Sequence, residues 1–185
     1  MILAVYLITA LLLIVVALVV FRIFVRRDYE RKGRLTRFSG FLQLLLFSLH
    51  VLSSYVYLDP RLSHVRTDSP LLVPAIACMV AGLVLLALAM GGLGISVAMG
   101  LRVTGLRKSG LYRYTRNPQI VTGSLFYVGC AMLWPSWTGF IWLGLLWIIL
   151  HIMVLTEEEH LRRTFGEEYE CYCAETPRYL GFHSG

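Results

Sequence analysis

The chain has 185 residues, 57% of them apolar and only 15% charged, with a formal net charge of +6 and a mean hydropathy of +0.69. A soluble domain carries about a quarter charged residues, so this composition excludes a soluble globular fold, a disordered chain and a collagen-like one. Four scattered cysteines do not make a secreted disulfide scaffold, and what remains is an all-α polytopic membrane protein, a single membrane domain over 1–185.

The first 21 residues contain no Asp, Glu, Lys or Arg, and the apolar run continues far enough to predict a first span over about 1–25, a crossing needing about 20 residues. No basic segment precedes it, and Arg26-Arg27 stand where a leader would be cleaved, so it reads as a retained span. A loop with Arg26, Arg27, Arg31, Lys32, Arg34 and Arg37 follows, then a second charge-free stretch, 38–58, the second predicted span. The next loop sets Arg61 and Arg66 against Asp59 and Asp68. The third span is predicted over 70–100. Gly91-Gly92-Leu93-Gly94 within it reads as a surface for close helix packing, because no strand precedes it to make a phosphate-binding turn.

A third loop holds Arg102, Arg107, Lys108, Arg113 and Arg116, after which 117–156 is again free of charge. As one helix that run would be about 60 Å long at 1.5 Å per residue, twice the hydrocarbon core, so it must fold back. Trp134-Pro135-Ser136-Trp137 supplies a helix break flanked by interfacial indoles. The result is a C-terminal helical hairpin, spans 117–134 and 137–156, and a tail over 157–185. Basic loops alternate with loops poor in net positive charge, which by the positive-inside rule puts the N-terminus outside and the C-terminus in the cytoplasm. Their flanking positions assign the basic residues to lipid headgroups, so no nucleic-acid partner is expected.

Two polar segments thereby reach one membrane face. In Gly110-Leu-Tyr-Arg-Tyr-Thr-Arg-Asn-Pro-Gln119, Arg113 and Arg116 offer forked donors for a carboxylate or phosphate. Pro118 opens a helix whose free N–H groups favour an anion; the competing reading is that the arginines only hold lipid phosphates. Glu157-Glu158-Glu159-His160 places carboxylates at a helix C-terminal region, against the helix dipole. They can pair with Arg113 or Arg116, hold a cation, or form an ordinary i,i+4 pair between Glu158 and Arg162. Arginines facing carboxylates would cradle a zwitterion. Leu161, Phe165, Tyr169 and Tyr172 make an amphipathic stripe beyond, suited to packing or to a lid. Cys171 and Cys173 lack the further ligands a metal site needs, so no metal is expected. His50 and His151 lie within spans, where a hydrogen bond between helices is the ordinary role and a substrate pathway the alternative.

Gly110-x-Tyr-Arg-Tyr-x-Arg-Asn-Pro-Gln119, the hairpin, and Glu157-Glu-x-x-Leu-x-x-x-Phe-Gly-x-x-Tyr-x-x-Tyr…Pro177-Arg178 resemble the membrane methyltransferase family of isoprenylcysteine carboxyl methyltransferases and phospholipid N-methyltransferases. The resemblance implies S-adenosylmethionine as cofactor, bound on the cytoplasmic side. Arg116 and Asn117 would hold its methionine carboxylate, Tyr112 would line the pocket, and Glu157 and Glu158 would take its amino group or ribose. Arg113, Pro118 and Gln119 would complete the cofactor-binding segment. Asn117 replaces the family's usual His, Ile120 its usual aromatic, and the following Gly is displaced to Gly123.

The implied partner is a lipidic or prenylated small acceptor among membrane lipids, entering sideways from the bilayer. Arg116 would orient a carboxylate acceptor, and Glu158 would take the proton from an amine acceptor. The alternatives are a nicotinamide-dependent membrane reductase of the sterol or steroid type, or a non-catalytic membrane scaffold.

Overall fold

The computed structural model describes residues 2–57, 69–93, 105–106, 108–133 and 135–181. Asp59, Arg61, Arg66, Asp68, Gly94, Arg102, Arg107 and Trp134, which the sequence reading invoked, lie outside them. Every regular element among the described residues is helical, and the chain is an integral membrane protein.

Helix α1 (Ile2–Leu18) runs through a wider π-helical stretch (Val19–Val25) into α2 (Arg26–Lys32), so the apolar rod emerges directly into the basic loop. Gly33, with φ of 62°, ends it in the left-handed conformation that a residue with a Cβ adopts at a cost. Thr36 starts α3 (Arg37–Leu52) by accepting from Ser39 N. Asp28 fixes that corner by accepting from the backbone N–H of Thr36 at 3.0 Å and from its hydroxyl. The short α4 (Ser54–Tyr57) and α5 (Leu72–Leu93) follow. Then come a 3₁₀ turn (Gly110–Arg113), α6 (Pro118–Leu133), α7 (Trp137–Phe165) and α8 (Glu167–Glu175). Pro118 and the Ser136 cap begin the last two long helices where the proline and serine in the sequence allow, and Ser136 Oγ accepts from Gly139 N at 3.0 Å.

Among the described residues, four helical segments are long and apolar enough to cross a membrane, and α6 is a shorter apolar one. The core joins the N-terminal rod to α3, α4 and α7 through Phe21, Val25, Leu46, Tyr57 and Ile149. Leu3, Leu7, Leu11, Leu44 and Val73 project outward, as lipid-facing residues must.

The two helices of the expected hairpin follow one another, but α6 packs chiefly along α5 and only lightly on α7. The reason is backbone proximity. A Cβ on Gly82 would sit 2.5 Å from Phe126 N, and one on Gly129 would sit 2.6 Å from Ala75 O. In lipid, small residues that let backbones approach decide which helices associate. Of the glycines expected to pack, Gly91 has open space where its Cβ would be among the described residues, and Gly94 lies outside them.

Candidate functional site

The polar site forms where the start of α6 meets the extension of α7 beyond Thr156, and the C-terminal tail closes it. Arg116 N donates to Pro177 O at 2.9 Å. Thr115 Oγ1 and Asn117 Nδ2 both donate to Arg178 O at 3.1 Å. Asn117 N donates to Thr115 Oγ1 at 3.2 Å, and Ile120 N to Asn117 O at 3.1 Å. Two of the backbone donors expected to be free at this helix start are therefore used within the chain, and Pro118 has none to offer. Thr115, Asn117 and Pro118 are buried.

Above this seam lies a buried charge cluster. The Glu158 side chain is 3% exposed and accepts two bonds from Arg178, Nε to Oε1 at 2.9 Å and an Nη to Oε2 at 2.8 Å. Arg116, 10% exposed, approaches the same carboxylate at 3.2 Å. The two-pronged contact is the geometry in which guanidinium and carboxylate bond most strongly. The ordinary Glu158–Arg162 pair is not formed, because Arg162 bonds Glu170 at 2.9 Å. One carboxylate for two guanidiniums leaves a surplus positive charge, and Arg116 Nε is buried with no hydrogen-bond partner among the described residues. An uncompensated buried donor costs free energy, which an incoming acceptor atom would relieve.

Gly166, with φ of 52°, turns the chain from α7 into α8, and the turn carries Tyr169, Tyr172 and Cys173 back toward the cluster. Cys173 Sγ lies against an Arg116 Nη. Tyr172 donates to Tyr112 O at 2.6 Å, and burial pushes its phenol up to about 12 while the nearby Arg116 acts in the opposite direction. Burial and the Glu158 charge likewise push the Tyr169 phenol up. Both phenols stay neutral, so they wall the site without adding negative charge. The stripe that also includes Leu161 and Phe165 thus buries its two tyrosines against the site.

The expected site residues divide clearly. Arg116, Asn117, Pro118 and Glu158 come together, and Tyr112 joins them through Tyr172 while its own hydroxyl donates to Gln119 Oε1 at 2.9 Å. Arg113 points outward, exposed. The three adjacent carboxylates face three ways. Glu159 accepts from Arg22 at 2.7 Å, Glu158 holds the guanidiniums, and Glu157 has no guanidinium partner among the described residues. Burial, with Glu158 beside it, pushes the Glu157 carboxyl up to about 7. Arg178 was named in the sequence only as part of a motif, yet it makes the strongest contact in the cluster. Its signal was an isolated arginine following proline in an otherwise uncharged end segment.

Among the described residues, no three His, Cys, Asp or Glu side chains are grouped to hold a metal ion. His50 bridges helices as its setting suggested: its Nε2 lies 3.0 Å from Trp142 O, and Trp142 Nε1 donates to His50 O at 3.0 Å.

A family model described as phospholipid methyltransferase matches residues 71–168. The match takes in α5, α6, α7 and the Arg116–Glu158 contact, and it ends ten residues before Arg178. No curated protein and no solved structure matches the chain.

Proposed function

The chain belongs to the phospholipid methyltransferase family of membrane methyltransferases, and on that premise we propose that it transfers a methyl group from S-adenosylmethionine to a lipidic or prenylated small acceptor. The observation that carries the reading is the buried Arg116–Glu158–Arg178 cluster with its surplus positive charge. The donor set fits the cofactor's amino-acid end. Arg116, with its unpartnered Nε, suits a carboxylate, and Glu157, free of guanidiniums, suits an ammonium group. Asn117 spends its amide on Arg178 O, so its part is to hold the tail in place. When bound, S-adenosylmethionine supplies an electrophilic methyl on a positively charged sulfur.

The chain's own residues position the two reactants, the main source of acceleration in a displacement of this kind. Glu158 is engaged by two guanidiniums and is better suited to orient them than to accept a proton. Tyr169 and Tyr172 shield the cluster from water, which strengthens the charge interactions inside it. In this reading the site faces the cytoplasm, with the N-terminus outside, and the acceptor enters from the bilayer between helices. Family membership favours this over a nicotinamide-dependent reductase.

Proteoliposomes supplied with isotopically labelled methyl donor and total lipid extract test the proposal. Labelled lipid identified by mass spectrometry is expected. No label in any lipid, together with binding of NADPH and none of S-adenosylhomocysteine, would return the reading to a reductase.

A further inference from the structure

The extension of α7 beyond Thr156 is gripped from two sides. Glu158 faces Arg116 and Arg178. At about 100° per residue, Glu159, His160 and Arg163 come round to the other side of the helix, and there each meets the N-terminal rod. Arg22 donates to Glu159 at 2.7 Å, and Arg163 donates to Glu30 at 2.6 Å. Between these pairs the Tyr29 ring lies flat on the His160 ring, with centroids 4.2 Å apart and planes 5° from parallel. Both residues are only 6% exposed, whereas the ion pairs beside them are partly exposed and contribute little. The ring stack is therefore the firm part of the grip.

Glu157 stands between the two sides, one turn from His160. The rod brings Arg22 and Arg26 to α7, yet both go to Glu159, and the rod's Glu30 takes Arg163. The rod residue that feels the Glu157 charge is Tyr29: burial and then that charge push its phenol up, so it stays protonated. Burial and Arg163 hold the His160 imidazole below its ordinary range. Neither ring supplies a counter-ion, and the neighbouring Glu158 adds a like charge. A half-buried carboxylate is thus kept apart from the cations on the rod and on its own helix.

We propose that Tyr29 is a positioning residue of the donor site: stacked on His160, it fixes the turn of α7 that carries Glu157 and keeps that carboxylate unpaired for the donor's ammonium group. The N-terminal rod, which lies outside the matched residues 71–168, is thereby a working part of the methyltransferase. The inference rests on the donor reading above and deepens it by naming what prepares Glu157. A cationic side chain at position 29 would pair with Glu157. A small one would admit water to it and unsettle His160, whose Nε2 is already buried with no hydrogen-bond partner among the described residues.

The test uses the full chain in nanodiscs and reads S-adenosylhomocysteine affinity by calorimetry between pH 6 and 8, with helical content followed alongside. Wild-type affinity should weaken as pH falls through about 7, where Glu157 takes up a proton. Tyr29→Phe keeps the stack and should bind within twofold of wild type. Tyr29→Leu should lose at least fivefold at pH 8, and its midpoint should move at least half a pH unit lower, because water then reaches the carboxylate. Tyr29→Met, a gentler change, guards against misfolding and should shift both in the same direction. Arg22→Gln loosens the rod without touching the stack and should move neither. On a Glu157→Gln background, Tyr29→Leu should cost less than twofold. Unchanged affinity and midpoint in Tyr29→Leu and Tyr29→Met, an equal loss in Arg22→Gln, or the full loss on the Glu157→Gln background would overturn the inference with donor binding intact. Failure of the wild type to bind S-adenosylhomocysteine would overturn the donor reading as well.

Discussion

Glu158 shows how one carboxylate can organise a site. Two guanidiniums hold it, so removing either one leaves the other, whereas removing both strands a buried charge. Stripping a buried carboxylate of its partners costs about 3–5 kcal/mol, somewhat less here because the Arg178 side chain is one-third exposed. We therefore expect Arg116→Ala and Arg178→Ala each to lower stability by about 1 kcal/mol and the double variant by more than their sum; additive losses in denaturant unfolding would show that the guanidiniums act independently. Glu157 gives a second prediction at this scale. Its carboxyl is raised from 4.5 to about 7 in the fold, so the folded state binds that proton more tightly than the unfolded state. Stability from this source is present at low pH and fades as pH rises through about 7. His160, held below its ordinary 6.5 by burial and Arg163, works in the opposite sense on acidification, so the comparison is made by difference above that value. Between pH 8 and 6.5, wild type should gain thermal stability relative to Glu157→Gln, and equal slopes would refute the raised carboxyl. At this scale charge at a helix boundary drew attention to Arg116 and Glu158, while Asn117 entered only through the family resemblance. The sequence hid Arg178, because nothing local says where a tail of some twenty residues turns back.

Among the helices, hydropathy announced the spans and turns but not their partners. A charge-free run is equally greasy on every side; the uncharged stretches coincide, among the described residues, with four helical segments long and apolar enough to cross and with the shorter α6, and the proline and serine at 135–136 predicted where the last run breaks. Which helix lies on which is set by backbone approach at Gly82 and Gly129, in α5 and α6. Glycine is common in such runs, and nothing in the sequence separates these two from Gly91, whose Cβ would meet nothing within 4 Å among the described residues. Gly82→Leu and Gly129→Leu should each force α5 and α6 apart at a cost of about 1–3 kcal/mol or more, and Gly91→Leu should cost little. Thermal unfolding in detergent measures the contrast, and similar losses at all three positions would contradict the packing described.

Over the whole molecule, three segments distant in sequence converge at one end. The N-terminal rod reaches α7 through Arg22–Glu159 at 2.7 Å and Glu30–Arg163 at 2.6 Å. The third basic segment reaches α8 through Lys108–Glu168 at 3.1 Å and α7 through Arg116–Glu158. Arg22–Glu159, Glu30–Arg163 and Lys108–Glu168 are partly to largely exposed and contribute about 0–1 kcal/mol each, so they mark the shared end more than they hold it, whereas Arg116–Glu158 is buried. Alternating loop charge had placed these segments on one face, and their convergence agrees with it. The proposed activity requires a pocket for the methyl donor at that convergence. Calorimetric titration of S-adenosylhomocysteine into the wild type, Arg116→Ala and Arg178→Ala in nanodiscs tests this most directly. Saturable binding by the wild type, weakened about tenfold or more in each variant with the helical content intact, is the predicted result, and wild-type binding that neither substitution alters would contradict it.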